Sequence, residues 1–151
     1  MSLEKNSDLF NKILYEIPKD TTESISISFE HCKFSNIASK VFVRDRKFKP
    51  LKEVKFFDST FEDIQDRAFD FYSSDINLEI NGSKKLFKLH KDIFVDFKVS
   101  NFLLNNVKLE EFTTEAFWNM KQTGILRISN SYVKGNAIEK VLNPCNCHQK
   151  Y

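Results

Sequence analysis

One apolar pattern recurs along this chain, and only a narrow set of folds can bury it. Ile27, Phe29, Phe34, Ile37, Val41 and Phe42 have the same spacing as Val54, Phe56, Phe61, Ile64, Ala68 and Phe69. Phe102, Leu104, Leu109, Phe112, Ala116 and Phe117 repeat it again. Leu78, Ile80, Leu86, Leu89, Ile93 and Phe94 fit after one extra residue between Ile80 and Leu86. Leu126, Ile128 and Val133 open a fifth copy that decays beyond them. First positions advance by 27 residues (27 to 54) and then by 24 three times (54 to 78, 78 to 102, 102 to 126). Self-similarity at such a period marks stacked units, none of which can bury its apolar edge alone. A stack offers a long surface and usually no catalytic pocket, so the pattern leans towards binding.

Each copy opens with an alternation. Ile25, Ile27 and Phe29 point one way and Ser24, Ser26 and Ser28 the other. Val54-Lys-Phe56, Leu78-Glu-Ile80, Phe102-Leu-Leu104 and Leu126-Arg-Ile128 follow suit. Period two with β-branched and aromatic residues signals a strand. Copies running the same way must stack as a parallel sheet. The spacing of three and four from Phe61 through Ile64 to Ala68 and Phe69 predicts a short helical or 3₁₀ return. The expected architecture is therefore an α/β-type solenoid, a right-handed coil with a parallel β-sheet on its concave face. The alternative is a right-handed parallel β-helix with three short strands per coil. One clear alternating segment per copy favours the first.

At 151 residues there is room for one domain. Basic and acidic residues number 23 and 21, a net of +2 with the signs interspersed, so no nucleic-acid footprint is expected. Lys84, Lys85, Lys88 and Lys91 form the densest basic cluster, which reads as a solvated convex face. The 16 Phe fall largely on the repeating positions, so packing accounts for most of them. No apolar run is long enough to span a membrane, so membrane insertion is not expected. The start, Met1 to Asp8, lacks the apolar segment of a signal peptide. Cys145 and Cys147 form a Cys-x-Cys pair, whose members rarely bond each other. Their partners are expected beyond Tyr151.

The spacing Leu51-x-x-Val54-x-Phe56-x-x-Ser59-x-Phe61-x-x-Ile64-x-x-x-x-Phe69 resembles the leucine-rich repeat. The family's ninth position, normally Asn or Cys, holds Cys32, Ser59, Ser83, Val107 and Ser131 here, so the repeat is degenerate. Ile17-Pro18 looks like the step that ends the N-terminal cap of extracellular members. Asn143-Pro144-Cys145-Asn146-Cys147 looks like the start of their C-terminal cysteine cap, one residue short. The Phe-rich, Ser-for-Asn style is similar to secreted repeat proteins of arthropods. The resemblance divides the chain into an arm (residues 1–12), a cap remnant (13–23), five repeats (24–142) and a truncated cap (143–151). It implies that Cys145 and Cys147 belong to a disulfide cap and that the protein is secreted or on the cell surface, the chain given being a fragment. Asn at the ninth position normally bonds the backbone of the neighbouring coil. Ser does so with less reach, so softer turns are expected.

The candidate site is the outward side of the strands. Its central column is Ser28, Lys55, Glu79, Leu103 and Arg127, and beside it lie Glu30, Phe57, Asn81, Asn105 and Ser129. Phe57 and Leu103 are apolar anchors in a polar surround, the arrangement that concentrates energy at protein interfaces. The bland alternative is a solvated sheet face. Other chemistry is thinly supported. Cys145, Cys147 and His148 supply too few ligands for zinc, and His31 and His90 stand apart. Cys32 sits where a side chain turns inward and reads as a small hydrophobe. Glu110-Glu111 reads as solvated charge, and three Gly could hardly build a phosphate loop. Asn81-Gly82-Ser83 is a glycosylation sequon at a strand exit. The expectation is a non-enzymatic module that needs no cofactor or metal and recognises a protein partner. A structural or non-catalytic partner subunit is the runner-up, and a carbohydrate-active β-helix comes after it.

Overall fold

Alternating Ile and Ser suits a pleated strand with one wet side, because successive side chains leave opposite faces. A computed structural model describes residues 2–3, 24–42, 51–69, 76–83, 87–89, 93, 100–112, 125–133 and 136–142. Its strands are β1 (Ser2–Leu3), β2 (Ile25–Glu30), β3 (Lys33–Phe34), β4 (Asn36–Ile37), β5 (Leu51–Phe57) and β6 (Thr60–Phe61). They continue with β7 (Asn77–Asn81), β8 (Phe87–Leu89), β9 (Asn101–Asn105), β10 (Lys108–Phe112), β11 (Ile125–Val133) and β12 (Asn136–Leu142). Among the described residues none is helical.

The opening strands of the copies lie side by side in the order β2, β5, β7, β9, β11, all parallel. Their register follows the repeat alignment residue for residue. Ile27 lies opposite Val54, Val54 opposite Leu78, Leu78 opposite Phe102 and Phe102 opposite Leu126. The longer first repeat leaves this register intact. Ile25 pairs with Leu51 and Ser26 with Glu53, so Lys52 is bulged out where β5 begins.

The returns differ from expectation. Where a helical turn was predicted, β3 pairs parallel with β6, and an isolated parallel bridge joins Ile37 to Ile64. The chain bends at Ser35 and Glu62 between these extended pieces. Such a bend re-aims the next side chain inward, so Phe34 and Ile37, three apart, are both fully buried without a helix. Single turns follow, closed by Val41 N–H to Ala38 O at 3.3 Å and Ala68 N–H to Gln65 O at 3.1 Å. β1 extends this second side, pairing Ser2 with Asn36 and Leu3 with Ile37.

Residues 136–142, assigned above to the fifth repeat, run the opposite way. β12 is antiparallel to β11, from Val133 opposite Asn136 to Leu126 opposite Leu142, with one irregularity between Ile128 and Ser131.

The core lies between the two sides and is built on Phe. Phe29 and Phe56 stack at 5.1 Å, Phe34 and Phe61 at 5.5 Å, and Phe42 and Phe69 at 6.1 Å. Phe56 also meets Phe34 and Phe61 edge-on at 5.5 and 5.3 Å. Rings at one repeat position thus stack along the ladder, while rings at different positions meet edge-to-face. Both are favourable aromatic geometries.

Candidate functional site

The register that buries Ile27, Val54, Leu78, Phe102 and Leu126 turns their neighbours outward together. Ser28, Lys55, Glu79, Leu103 and Arg127 form one row across the sheet, each paired with the next. Glu30, Phe57, Asn81, Asn105 and Ser129 form the second. Ser28, Glu30 and Arg127 are exposed, and the other seven are half-buried. A third row went unremarked in the sequence: Ser26, Glu53, Asn77, Asn101 and Ile125. Period two predicts it, since each member lies two residues before one in the central row. Ile125 is 50% exposed and adds an apolar group at the far end.

Charge is unevenly spread over this face. Glu30, Glu53 and Glu79 occupy the first three strands with Lys55 among them, and Arg127 is the charged member of the last two. Lys55 Nζ lies 2.9 Å from Glu53 Oε1. That hydrogen bond raises the Lys55 pKa above its ordinary value; burial opposes the rise, and the charges of Glu53 and Glu79 support it. Ser28 Oγ donates to Glu30 Oε1 at 3.3 Å.

Amides hold the other half. Asn101 Nδ2 donates to Asn77 Oδ1 at 2.8 Å, and Asn105 Nδ2 to Asn81 Oδ1 at 3.3 Å. Ser129 Oγ and Asn130 Nδ2 both donate to Asn105 Oδ1, at 3.1 and 3.0 Å. Asn81 Nδ2 donates to Glu79 Oε1 at 3.3 Å. The Asn101, Asn105, Ser129 and Asn130 bonds run from strand to strand, the Asn81 bond runs along its own strand, and together they hold the side chains at fixed spacing. The face is therefore a preorganised polar surface with apolar groups set into it.

A column of left-handed residues borders the face, just past the ends of β2, β5, β7 and β9 and within β11. His31, Asp58, Gly82, Asn106 and Asn130 have φ of 54°, 45°, 80°, 52° and 49°. Gly is free of steric cost there, and Asn, Asp and His are the side chains most often found in that region. The first four corner N–H groups donate to the next strand: His31 to Phe57 O (2.9 Å), Asp58 to Asn81 O (2.8 Å), Gly82 to Asn105 O (3.0 Å) and Asn106 to Ser129 O (3.1 Å). The recurrence of Asp, Gly, Asn and Asn at intervals of 24 was a legible signal for these corners. His31 Nδ1 lies 3.8 Å from Asp58 Oδ2, a solvent-facing contact of little energetic weight.

The Ser substitutes at the ninth position work from inside. Ser59 Oγ accepts the Cys32 N–H at 3.2 Å and lies within donating reach of Phe57 O (3.0 Å) and Phe29 O (3.3 Å). Ser131 Oγ accepts the Val107 N–H at 3.3 Å and donates to Ser129 O at 2.7 Å. A hydroxyl thus bridges neighbouring repeats. Cys32 is half-buried against the core, with Sγ 3.4 Å from Glu30 O.

The sequon is less open than its place at a strand exit implies. Asn81 is half-buried, and Gly82 and Ser83 are buried. Among the described residues no three His, Cys, Asp or Glu side chains gather as metal ligands. Cys145, Cys147, His148, His90, Lys84, Lys85, Lys91 and the Ile17-Pro18 step lie outside the described residues, as does the Lys88 side chain. No described helix is long and apolar enough to cross a membrane. Comparison with family models, with curated proteins and with solved structures finds no match.

Proposed function

We infer that the chain is a non-enzymatic recognition module that takes a protein partner on its outward strand face. The supporting observation is the in-register alignment of the two sequence-derived rows across the strands that open the five copies. It puts Phe57 and Leu103 into a surface whose polar members are already tied to each other. A preorganised face loses little side-chain freedom on association, so more of the contact energy remains as affinity. The chain, on this reading, is a leucine-rich-repeat-like solenoid from a secreted or cell-surface protein, with Cys145 and Cys147 in a disulfide cap. The extra parallel pieces, β3 with β6 and Ile37 with Ile64, favour the β-helix form of the solenoid. Either form presents the same face.

Capture of binding partners by Phe57→Asp and Leu103→Asp variants tests the reading. Each is expected to weaken capture at least about tenfold, the effect of losing an interface anchor. Unchanged capture by both, with the sheet intact by circular dichroism, refutes the face as the binding site.

A further inference from the structure

The two apolar groups in the central rows of the outward face stand in different electrostatic surroundings. Three rows cross five strands, so each side chain has a grid position, with strands about 4.8 Å apart and rows about 6.7 Å apart. On β2, β5 and β7 the rows carry Glu30, Glu53, Lys55 and Glu79, and Asp58 stands at the corner just past Phe57. On β9 and β11 they carry Leu103, Ile125 and Arg127 among Asn101, Asn105 and Ser129. Lys52, bulged where β5 begins, belongs to no row.

Phe57 sits among carboxylates. Glu30 is its neighbour on β2 in the same row, and Glu79 lies one strand and one row away on β7. Asp58 holds its carboxylate beside Gly82, with His31 Nδ1 at 3.8 Å. Lys55 is drawn away from Phe57 by its 2.9 Å bond to Glu53, in the row on its far side. Glu30 and Glu79 accept from Ser28 and Asn81, neutral donors that leave their charge in place. An apolar group docked on Phe57 would strip water from these carboxylates and offer them nothing in return. A guanidinium stacks on an aromatic ring and also donates to a carboxylate, so it suits this position. Leu103 differs. The amides before and after it on β9, Asn101 and Asn105, are already bonded to Asn77 and Asn81, so an apolar group can cover it without unpairing them. Arg127, exposed on the next strand, fits a carboxylate.

We propose, resting on the reading of this face as the binding surface, that the partner lays a charge-ordered segment across the strands: an Arg on Phe57 between Glu30 and Glu79, an apolar side chain on Leu103 and a carboxylate on Arg127. The order follows the strand order β5, β9, β11. From the first contact to the last is three strand spacings, about 14 Å. A segment lying the other way would set its acid against Glu30 and Glu79 and its Arg against Arg127. Like charges so placed are rejected, and the face therefore selects orientation as well as composition.

Selection from a displayed library of random peptides tests this, with the full chain as bait. The wild type is expected to enrich Arg, an apolar residue and Asp or Glu within the same peptides. Bait carrying Glu30→Gln with Glu79→Gln is expected to lose the Arg preference and keep the acidic one, and Arg127→Gln bait the converse. Peptides selected on the wild type are expected to bind either altered chain about fivefold more weakly by fluorescence anisotropy, the difference shrinking as salt is raised. Phe57→Ala and Leu103→Asp chains, with the sheet intact by circular dichroism, separate the proposal from the reading beneath it. Peptides that need Phe57 and Leu103 but carry no charge bias, or a bias that the Gln variants leave unchanged, overturn the proposal and leave the face as the binding surface. Peptides that bind the Phe57→Ala and Leu103→Asp chains as well as the wild type overturn both. A library that yields no binder overturns the proposal alone, since such a segment is then not enough for recognition.

Discussion

Gly82 is the corner residue with no side chain, and its neighbour explains why. A Cβ built on it would lie 3.2 Å from Asp58 Cγ and closer still to Asp58 Oδ1, at a φ of 80°. Gly82→Ala is expected to cost about 1–3 kcal/mol, part from left-handed strain and part from displacing the carboxylate. Asp58→Ala in the same chain should recover only the second part, as a double-mutant cycle in urea will show. The buried hydroxyls make a similar demand. Ser59→Ala leaves the Cys32 N–H without its acceptor and should cost about 1–3 kcal/mol, while Ser28→Ala on the outward face should stay within about 0.5 kcal/mol. Lys55 adds a pH dependence of fixed sign. Its folded pKa is raised above 10.5, so its contribution is fully present below that value and is lost as pH rises through the folded value. Glu53→Gln removes the principal cause and should flatten the alkaline limb of the urea midpoint. The effect is small and salt-sensitive, because Lys55 is 31% exposed.

At the scale of elements the Phe lattice decides most of the stability. Phe56 is fully buried and meets Phe29, Phe34, Phe42, Phe61 and Phe69 at 5.1 to 6.4 Å. Phe56→Ala is expected to cost about 3–5 kcal/mol, and Phe56→Leu about 1–1.5 kcal/mol, since Leu keeps most of the area but none of the edge-to-face contacts. Chemical denaturation of the two variants separates these contributions. The same positions show what the sequence could reveal. The parallel strands and their register were legible because side-chain direction alternates strictly, and only one alignment buries Ile27, Val54, Leu78, Phe102 and Leu126 together. The returns were misread because a spacing of three arises equally from a helical turn and from two short strands joined by a bend. Lys52 shows the same limit, since a bulge absorbs one residue without disturbing the apolar pattern on either side. β12 is invisible to the period, because the apolar repeat fails after Val133 and the strand that follows runs antiparallel. Val133-Lys134-Gly135-Asn136 has the two-residue, Gly-containing connection of a hairpin, and that local signal outranks a decaying period.

The whole molecule places two sequence features in competition that look independent in the chain. Asn81 belongs to the only sequon, and the register also puts it in the third of five strands, at the middle of its row. Its side chain is already committed, with Oδ1 accepting from Asn105 and Nδ2 donating to Glu79. A glycan on Nδ2 takes over one of the two donor hydrogens and stands at the centre of the face, next to Phe57 in the same row. Ser83, whose hydroxyl completes the sequon, is 1% exposed, so the site is presented only before this repeat folds. Modification and recognition therefore exclude each other if the outward face is the binding surface. Chain made in a glycosylating secretory host should separate into two fractions by lectin chromatography. The modified fraction is expected to lose partner capture and the unmodified fraction to keep it. Asn81→Gln should bind within a few-fold of the unmodified chain, because it removes the glycan while keeping an amide in the row. Equal capture by both fractions would move the binding surface off the strand face altogether, since no arrangement of the row leaves a central glycan out of the way.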